Sequence, residues 1–285
     1  MPDNEHEEPG SVSDMTLYFI FTLTTACLAP LLYGYHLVSA RAVKFSTSSV
    51  RERRVISSID IDQSELNAPQ DVITCAKPST APHDQSSLPQ CLEMDTLQIG
   101  VVNSILTIGG LIGALVSGTI AAQYGRRPAL LYNAAFLILG PILEAAAPAV
   151  WVLALGRFIS GIGVGTSTVV TPLFISEIAI PKFKGFFGSF TQTSINAGIL
   201  LAQVLGYFLS KGQLWRVILG SGGVVGVLHF VFLFFMNESP KWLAENGRAA
   251  QGKQVLRRLR GHKADIVKEV NGWNLGDAEE REGCC

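Results

Sequence analysis

An arginine stands where hydrocarbon would be expected. Arg157 lies about two turns inside an apolar run that opens near Trp151. A guanidinium at the centre of a membrane-crossing helix costs about 2.5–3.5 kcal/mol on insertion scales. It must therefore face other helices and find a partner among them. Gln192 is a second polar group inside an apolar run. Its amide supplies two donors and one acceptor, and burying them unpaired is costly. Such a group bonds either a neighbouring helix or the hydroxyls of a bound molecule. Arg126, Arg127, Glu177 and Glu238 cluster at the ends of apolar runs, where they can meet as an ion-pair network or simply anchor the chain at a membrane surface. The five cysteines follow no zinc-ligand spacing. No nucleophile–base set or nucleotide-binding loop stands out. These residue types point to recognition and charge movement rather than covalent catalysis, and no cofactor or metal is expected.

The elements that must carry these residues follow from hydropathy. Only 16% of the residues are charged, against about a quarter in a soluble chain, and the net charge of −1 argues against nucleic acid as a partner. A hydrocarbon core about 30 Å thick is crossed by about 20 helical residues at about 1.5 Å each. Six runs qualify: Thr16–Leu37, Leu97–Gln123, Ala129–Ala147, Trp151–Ile178, Phe186–Leu209 and Leu214–Met236. They must be helices, because lipid offers the backbone no hydrogen-bond partner. They do not alternate as barrel strands would. The first run follows an acidic leader and lacks the basic start of a signal peptide. Lys and Arg cluster after the second, fourth and sixth runs, at Arg126–Arg127, at Lys182 and Lys184, and from Lys241 to Lys263. All three clusters fall on one side, expected to be cytoplasmic, which places both ends of the chain in the cytosol. Gly109, Gly113 and Ser117 share one face of the second run, and Gly161 and Gly165 one face of the fourth. Such faces bring helices close together, either as ordinary packing or as surfaces that slide.

At this point a resemblance becomes specific. Gly125-Arg126-Arg127 resembles a loop signature of the major facilitator superfamily. The stretch GRFISGIGVGTSTVVTPLFISEIAIPKFKG resembles the sugar porter pattern, through Arg157, Gly161, Gly163, Gly165, Pro172, Phe174, Glu177 and Lys184-Gly185. FTQTSINAGILLAQVLG is similar to the family's glutamine-bearing sugar helix, and NESPKWLAENGRAAQGKQVLRRLRG to its motif after the sixth span. The resemblance covers most of residues 16–273. It implies an all-α membrane protein whose six transmembrane helices form the N-terminal half of a twelve-span fold, with substrate bound between halves near the midplane.

By the same resemblance, Gln192, Ile195, Ile199 and Tyr33 would contact a hexose-like sugar, with Asn196 and Gln203 as packing residues. In proton-coupled members an acid near the end of span one pairs with the span-four arginine. Here His36 takes the acid's place, so His36 and Arg157 are the proton-coupling candidates, with facilitated diffusion as the alternative. Arg126, Arg127, Glu177 and Glu238 would form a cytoplasmic latch. Ala122, Gln123, Asn237 and Lys241 depart from the family pattern around it, which implies a weakened latch of exposed pairs worth about 0–1 kcal/mol each.

The expected organisation is a disordered leader at 1–15, span one at 16–37, an outer loop at 38–96, spans two to six at 97–236, a cytoplasmic amphipathic segment at 237–263 and a disordered tail at 264–285. Within the outer loop, 38–63 is polar and serine-rich and interrupts the family pattern. A retained intron is one reading of it. Cys75 and Cys91 lie in the same loop, and an oxidising compartment would allow them to form a disulfide. The expected function is transport of a hexose-like sugar by alternating access, in the plasma or vacuolar membrane, with sugar, protons and the lipid bilayer as partners. The alternative is a truncated, non-transporting product or membrane sensor. Self-association could replace a missing half.

Overall fold

The computed structural model describes residues 16–38, 89, 91–209, 214–261, 266–267 and 269–273. Six long helices carry the architecture: α1 (Leu17–Val38), α2 (Thr96–Tyr124), α3 (Arg126–Ala145), α4 (Val150–Ile178), α5 (Lys184–Leu209) and α6 (Trp215–Phe235). Two shorter helices follow, α7 (Pro240–Glu245) and α8 (Ala249–Arg260). No strand occurs among the described residues. The expected runs and the long helices agree to within three residues at every end, the largest difference being Ala129 against Arg126. α1, α2, α3, α4 and α6 are long and apolar enough to cross a membrane. α5 has 26 residues, which also suffices for length, but Thr191, Gln192, Thr193, Ser194 and Asn196 dilute its hydropathy. Many large apolar side chains face outward, among them Leu97, Leu111 and Leu115 on α2 and Phe235 on α6. Water would penalise such faces, whereas lipid does not.

α2 packs on α4, α4 on α3, α3 on α6, and α1 on α5. Two of these contacts depend on missing side chains. A Cβ at Gly113 or Gly165 would overlap the carbonyl oxygen of Ile162 or Gly110, so α2 and α4 touch backbone to backbone. A Cβ at Gly34 or Gly198 would likewise overlap the carbonyl oxygen of Ile195 or Leu31, across α1 and α5. The small faces read in the second and fourth runs do meet each other. The α1–α5 counterpart was not read from the sequence.

Helix ends are satisfied by a recurring device. The last carbonyls of a helix lack intrahelical donors, and a guanidinium there also opposes the negative end of the helix dipole. Arg127 donates from Nε and Nη2 to Leu233 O and Phe234 O of α6, at 3.0 and 2.9 Å. Arg216 donates from Nη1 to Ala145 O and Ala147 O at the end of α3, at 2.7 and 2.8 Å. Arg260 donates to Ile178 O and Ala179 O at the end of α4, at 2.8 and 3.0 Å. Each helix end is thus tied to an element distant in sequence.

α8 presents buried Leu256 and Leu259, with Val255 half-buried beside them, as its apolar stripe predicts. The expectation of an unstructured tail from residue 264 differs from the structure over its first turns. Ile266 and Val270 are buried against Leu256 and Trp273, and Glu269 holds Arg260 at 2.7 Å. The apolar spacing of Ile266, Val270 and Trp273 extends the α8 cluster, a short periodic signal hidden among charges. The leader at 1–15, all of the 38–63 segment beyond Val38, and Cys75 lie outside the described residues. Cys91 is disulfide-bonded.

Candidate functional site

α1 and α5 approach backbone to backbone, Gly34 against Ile195 and Gly198 against Leu31, while Tyr33 packs against the cluster of Leu32, Leu137 and Val164. Gln192 is exposed on α5, and its Nε2 donates to Asn196 Oδ1 at 3.4 Å, one helical turn on. The amide's hydrogen bond is thus made within α5 rather than to a neighbouring helix, and Asn196, expected as a packing residue, is exposed on the same face. Ile195 and Ile199, farther along the same helix, are partly buried, as is Tyr33 on α1. The result is an open strip of amides with an apolar flank, on a helix held to α1 by close backbone contact. Such a surface suits a molecule with hydroxyls on one face and C–H groups on the other.

Arg157 finds its carboxylate on α3. Its Nε stands 3.3 Å from Glu144 Oε2, and both side chains are buried. Ser160 Oγ donates to Glu144 Oε1 at 2.7 Å, and Arg157 Nη1 donates to the backbone oxygen of His36 at 3.3 Å. The expected pairing of Arg157 with the His36 region is therefore made through the main chain. The charge partner, Glu144, was missed because it lies within an apolar run near its end. The available signal was simple: an ionisable residue within a span, close in sequence to another of opposite sign. The His36 ring is buried where α1 meets α6, near Gly222, and lies within electrostatic reach of both Glu144 and Arg157.

The second acid–arginine pair closes the other end of the same two helices. Arg126 donates from Nε and Nη2 to Glu177 Oε2 and Oε1, at 2.9 and 2.6 Å. Both side chains are under a tenth exposed, so the expectation of exposed, weak pairs is corrected. Glu144 and Glu177 are the two carboxylates of the six long helices, and each is met by an arginine across the α3–α4 contact. Arg126 also donates from Nη1 to Ala121 O, near the end of α2.

Glu238 takes a different role from the expected side-chain pairing. Its carboxylate accepts from the backbone N–H groups of Arg126 at 2.8 Å, Arg127 at 3.1 Å and Ser239 at 2.8 Å. It caps the start of α3 from outside, where a helix dipole favours an anion. Gly125, at φ 105°, turns the chain into that cap, and its missing Cβ makes room for the carboxylate. This is why α3 begins at Arg126 rather than Ala129. Burial pushes the Glu238 pKa up, outweighing the opposing effect of its backbone donors and of Arg126. Trp242 Nε1 donates to Ala122 O at 2.9 Å, so the backbone of the departing Ala122 is used where an acidic side chain was expected. All four expected latch residues therefore come together, with Arg127 serving α6 through its side chain.

Comparison with known proteins agrees with this architecture. The family model described as "Sugar (and other) transporter" matches residues 22–282. The chain is 31% identical over 279 residues to the "Probable metabolite transport protein YBR241C" of Saccharomyces cerevisiae, a match covering 94% of this chain and 52% of the yeast protein. It is 41% identical over 185 residues to "Sugar transporter ERD6-like 9" of Arabidopsis thaliana, covering 65% of this chain and 55% of the plant protein. Among solved structures it resembles the proton:xylose symporter XylE bound to 6-bromo-6-deoxy-D-glucose, with a TM-score of 0.69 and 23% identity, covering 93% of this chain and 54% of that one. The partially occluded inward-open xylose transporter XylE from E. coli gives a TM-score of 0.67 at 22% identity, covering 91% of this chain and 57% of that one. Both show the fold. The chain spans about half the length of the curated relatives it matches.

Proposed function

Because the chain belongs to the sugar (and other) transporter family, we propose that it carries a hexose-like sugar across a membrane by alternating access, with Gln192, Ile195, Ile199 and Tyr33 as the substrate contacts. The observation that carries this reading is the exposed amide strip on α5. Polar groups on a membrane helix that face neither a protein partner nor water are expensive. A sugar supplies donors and acceptors in the number the strip can use. Asn196 joins the contacts as the acceptor beside Gln192.

Arg157 and Glu144 form the candidate proton-coupling centre, with His36 at its edge. The Glu144 carboxylate is the charge that compensates Arg157, so losing that charge would favour a rearrangement of the α3–α4 contact. The Arg126–Glu177 pair and the Glu238 cap act as the latch at the other end, on the side expected to be cytoplasmic from its basic clusters. The plasma membrane and the vacuolar membrane are the proposed locations.

The test is sugar uptake into proteoliposomes of the purified protein. Uptake that Gln192→Ala abolishes, with insertion unchanged, supports transport. A second reading is a non-transporting membrane sensor or partner. Normal insertion with no uptake would support it. A third reading has two copies facing each other across the α5 strip. A monomer by cross-linking in membranes would count against it.

A further inference from the structure

The C-terminal end of α8 lies against the rim of the apolar bundle. Thr16, one residue before α1, donates from Oγ1 to Arg258 O and Leu259 O at 2.8 and 3.0 Å. Arg260 reaches Ile178 O and Ala179 O, where α4 ends. Both partners stand at the edge of apolar spans, Leu17–Leu37 and Val150–Ile178. The last turn of α8 is therefore fixed at the depth where hydrocarbon gives way to lipid headgroups. α5 starts at the same junction. Phe19 and Phe187 lie one turn on from Thr16 and from Lys184, the first residue of α5, and their ring centroids are 5.1 Å apart.

Positive charge is left over there. Lys184, Arg257 and Arg258 are exposed, and none of them forms an ion pair among the described residues. The carboxylates of the junction are already committed, Glu177 to Arg126 at 2.6 Å and Glu269 to Arg260 at 2.7 Å. Cations gathered at headgroup depth, with their neighbouring acids engaged elsewhere, call for an anion. Guanidinium groups match phosphate oxygens in geometry as well as charge. A soluble anion meets these side chains only by diffusion. A lipid phosphate is held at their depth by its own acyl chains, and basic residues bordering a membrane helix attract anionic lipids.

We propose that the junction of the α1, α4, α5 and α8 ends is a docking surface for a phospholipid of net negative charge, recognised by Lys184, Arg257 and Arg258. The headgroup bridges the last turn of α8 to the start of α5. It thereby helps to hold α8 against the end of α4, whose Ile178 follows directly on Glu177 of the latch.

The test titrates the full chain in a neutral detergent with phosphatidylserine and with phosphatidylcholine, and counts bound lipid by native mass spectrometry. Phosphatidylserine should bind the more tightly. Arg258→Ala and Lys184→Ala should each weaken it about fivefold, equivalent to about 1 kcal/mol, and leave phosphatidylcholine unchanged. Arg258→Lys should keep most of the binding. These side chains are exposed and Thr16 bonds the Arg258 backbone, so the variants leave the packing intact. Arg248→Ala is the control. It removes the same charge at the opposite end of α8, about 15 Å away at about 1.5 Å per residue, and should change nothing. The proposal is overturned by equal affinity for the two lipids. It is overturned by an Arg248→Ala loss as large as that of Arg258→Ala, which would mean a diffuse positive surface. It is overturned as well by full competition from soluble glycerophosphoserine, which would mean a headgroup site that needs no acyl chain. Sugar uptake does not enter the readout, so the outcome is independent of the transport assay.

Discussion

Removing the Glu177 carboxylate should strand a buried guanidinium. Arg126 makes two charge-assisted hydrogen bonds to Glu177, at 2.9 and 2.6 Å, with less than a tenth of either side chain exposed. At about 1.5–3 kcal/mol per bond to a charged group, the pair accounts for about 3–6 kcal/mol. That brackets the roughly 3–5 kcal/mol lost when one member of a buried pair is deleted. Glu177→Leu leaves Arg126 with Ala121 O as its one side-chain acceptor. Arg126→Met strands the carboxylate and also uncaps α2, so it should be the costlier single change. The double variant replaces the pair by apolar packing, and such replacements are often close to neutral. It should therefore be more stable than either single variant. Thermal unfolding in detergent reads this directly. At roughly 2–4 °C per kcal/mol for a chain of this size, each single variant should lose about 6–20 °C and the double variant should recover much of it. Additive losses, or a coupling below about 0.5 kcal/mol, would refute the claim that this pair is a buried unit holding α3 to α4.

Gly165→Ala should destabilise the bundle by about 1–3 kcal/mol, because its Cβ would overlap the Gly110 carbonyl. Gly118→Ala, whose Cβ meets nothing within 4 Å, is the control and should leave the unfolding temperature unchanged. Glu144→Gln keeps an acceptor for Ser160 Oγ but loses the charge facing Arg157. It should spare sugar counterflow while sugar accumulation driven by a proton gradient collapses to equilibration, and loss of both would remove Glu144 from the coupling step. Glu238 has a pKa raised by burial above its ordinary 4.5. A raised folded-state value means that the protonated form is favoured by folding. Its stabilisation is therefore complete below about 4.5 and is lost as pH rises through the folded value. Glu238→Gln should flatten the stability–pH curve over that window, and an unchanged curve would show that Glu238 does not titrate as assigned.

Much of the fold could be read before any coordinates. The six long helices appear where apolar runs of sufficient length required them, and Gly109, Gly113, Gly161 and Gly165 marked faces for close approach, which the structure shows meeting each other. That Arg126, Arg127, Glu177 and Glu238 would meet was expected from the family resemblance, the charge pattern alone leaving simple anchoring open, and the four do come together. The structure decided what the sequence left open or misread. The Arg157 carboxylate comes from α3, because Glu144 reaches it only once α3 and α4 run antiparallel. Glu238 binds backbone N–H groups, because the turn at Gly125 aims the start of α3 at it. Gln192, for which a helix partner and a bound molecule were both open, is exposed and bonded to Asn196 on its own helix.

Solvation acts on each residue by itself, so hydropathy and basic flanks determined from the sequence alone that this chain forms membrane helices and, to within three residues, where they lie. Pairing is a relation between residues far apart in the chain. Which arginine meets which carboxylate and which helix end it caps depend on helix rotation and separation. Those quantities are set by backbone contacts at a few glycines, and only the tertiary structure decided them.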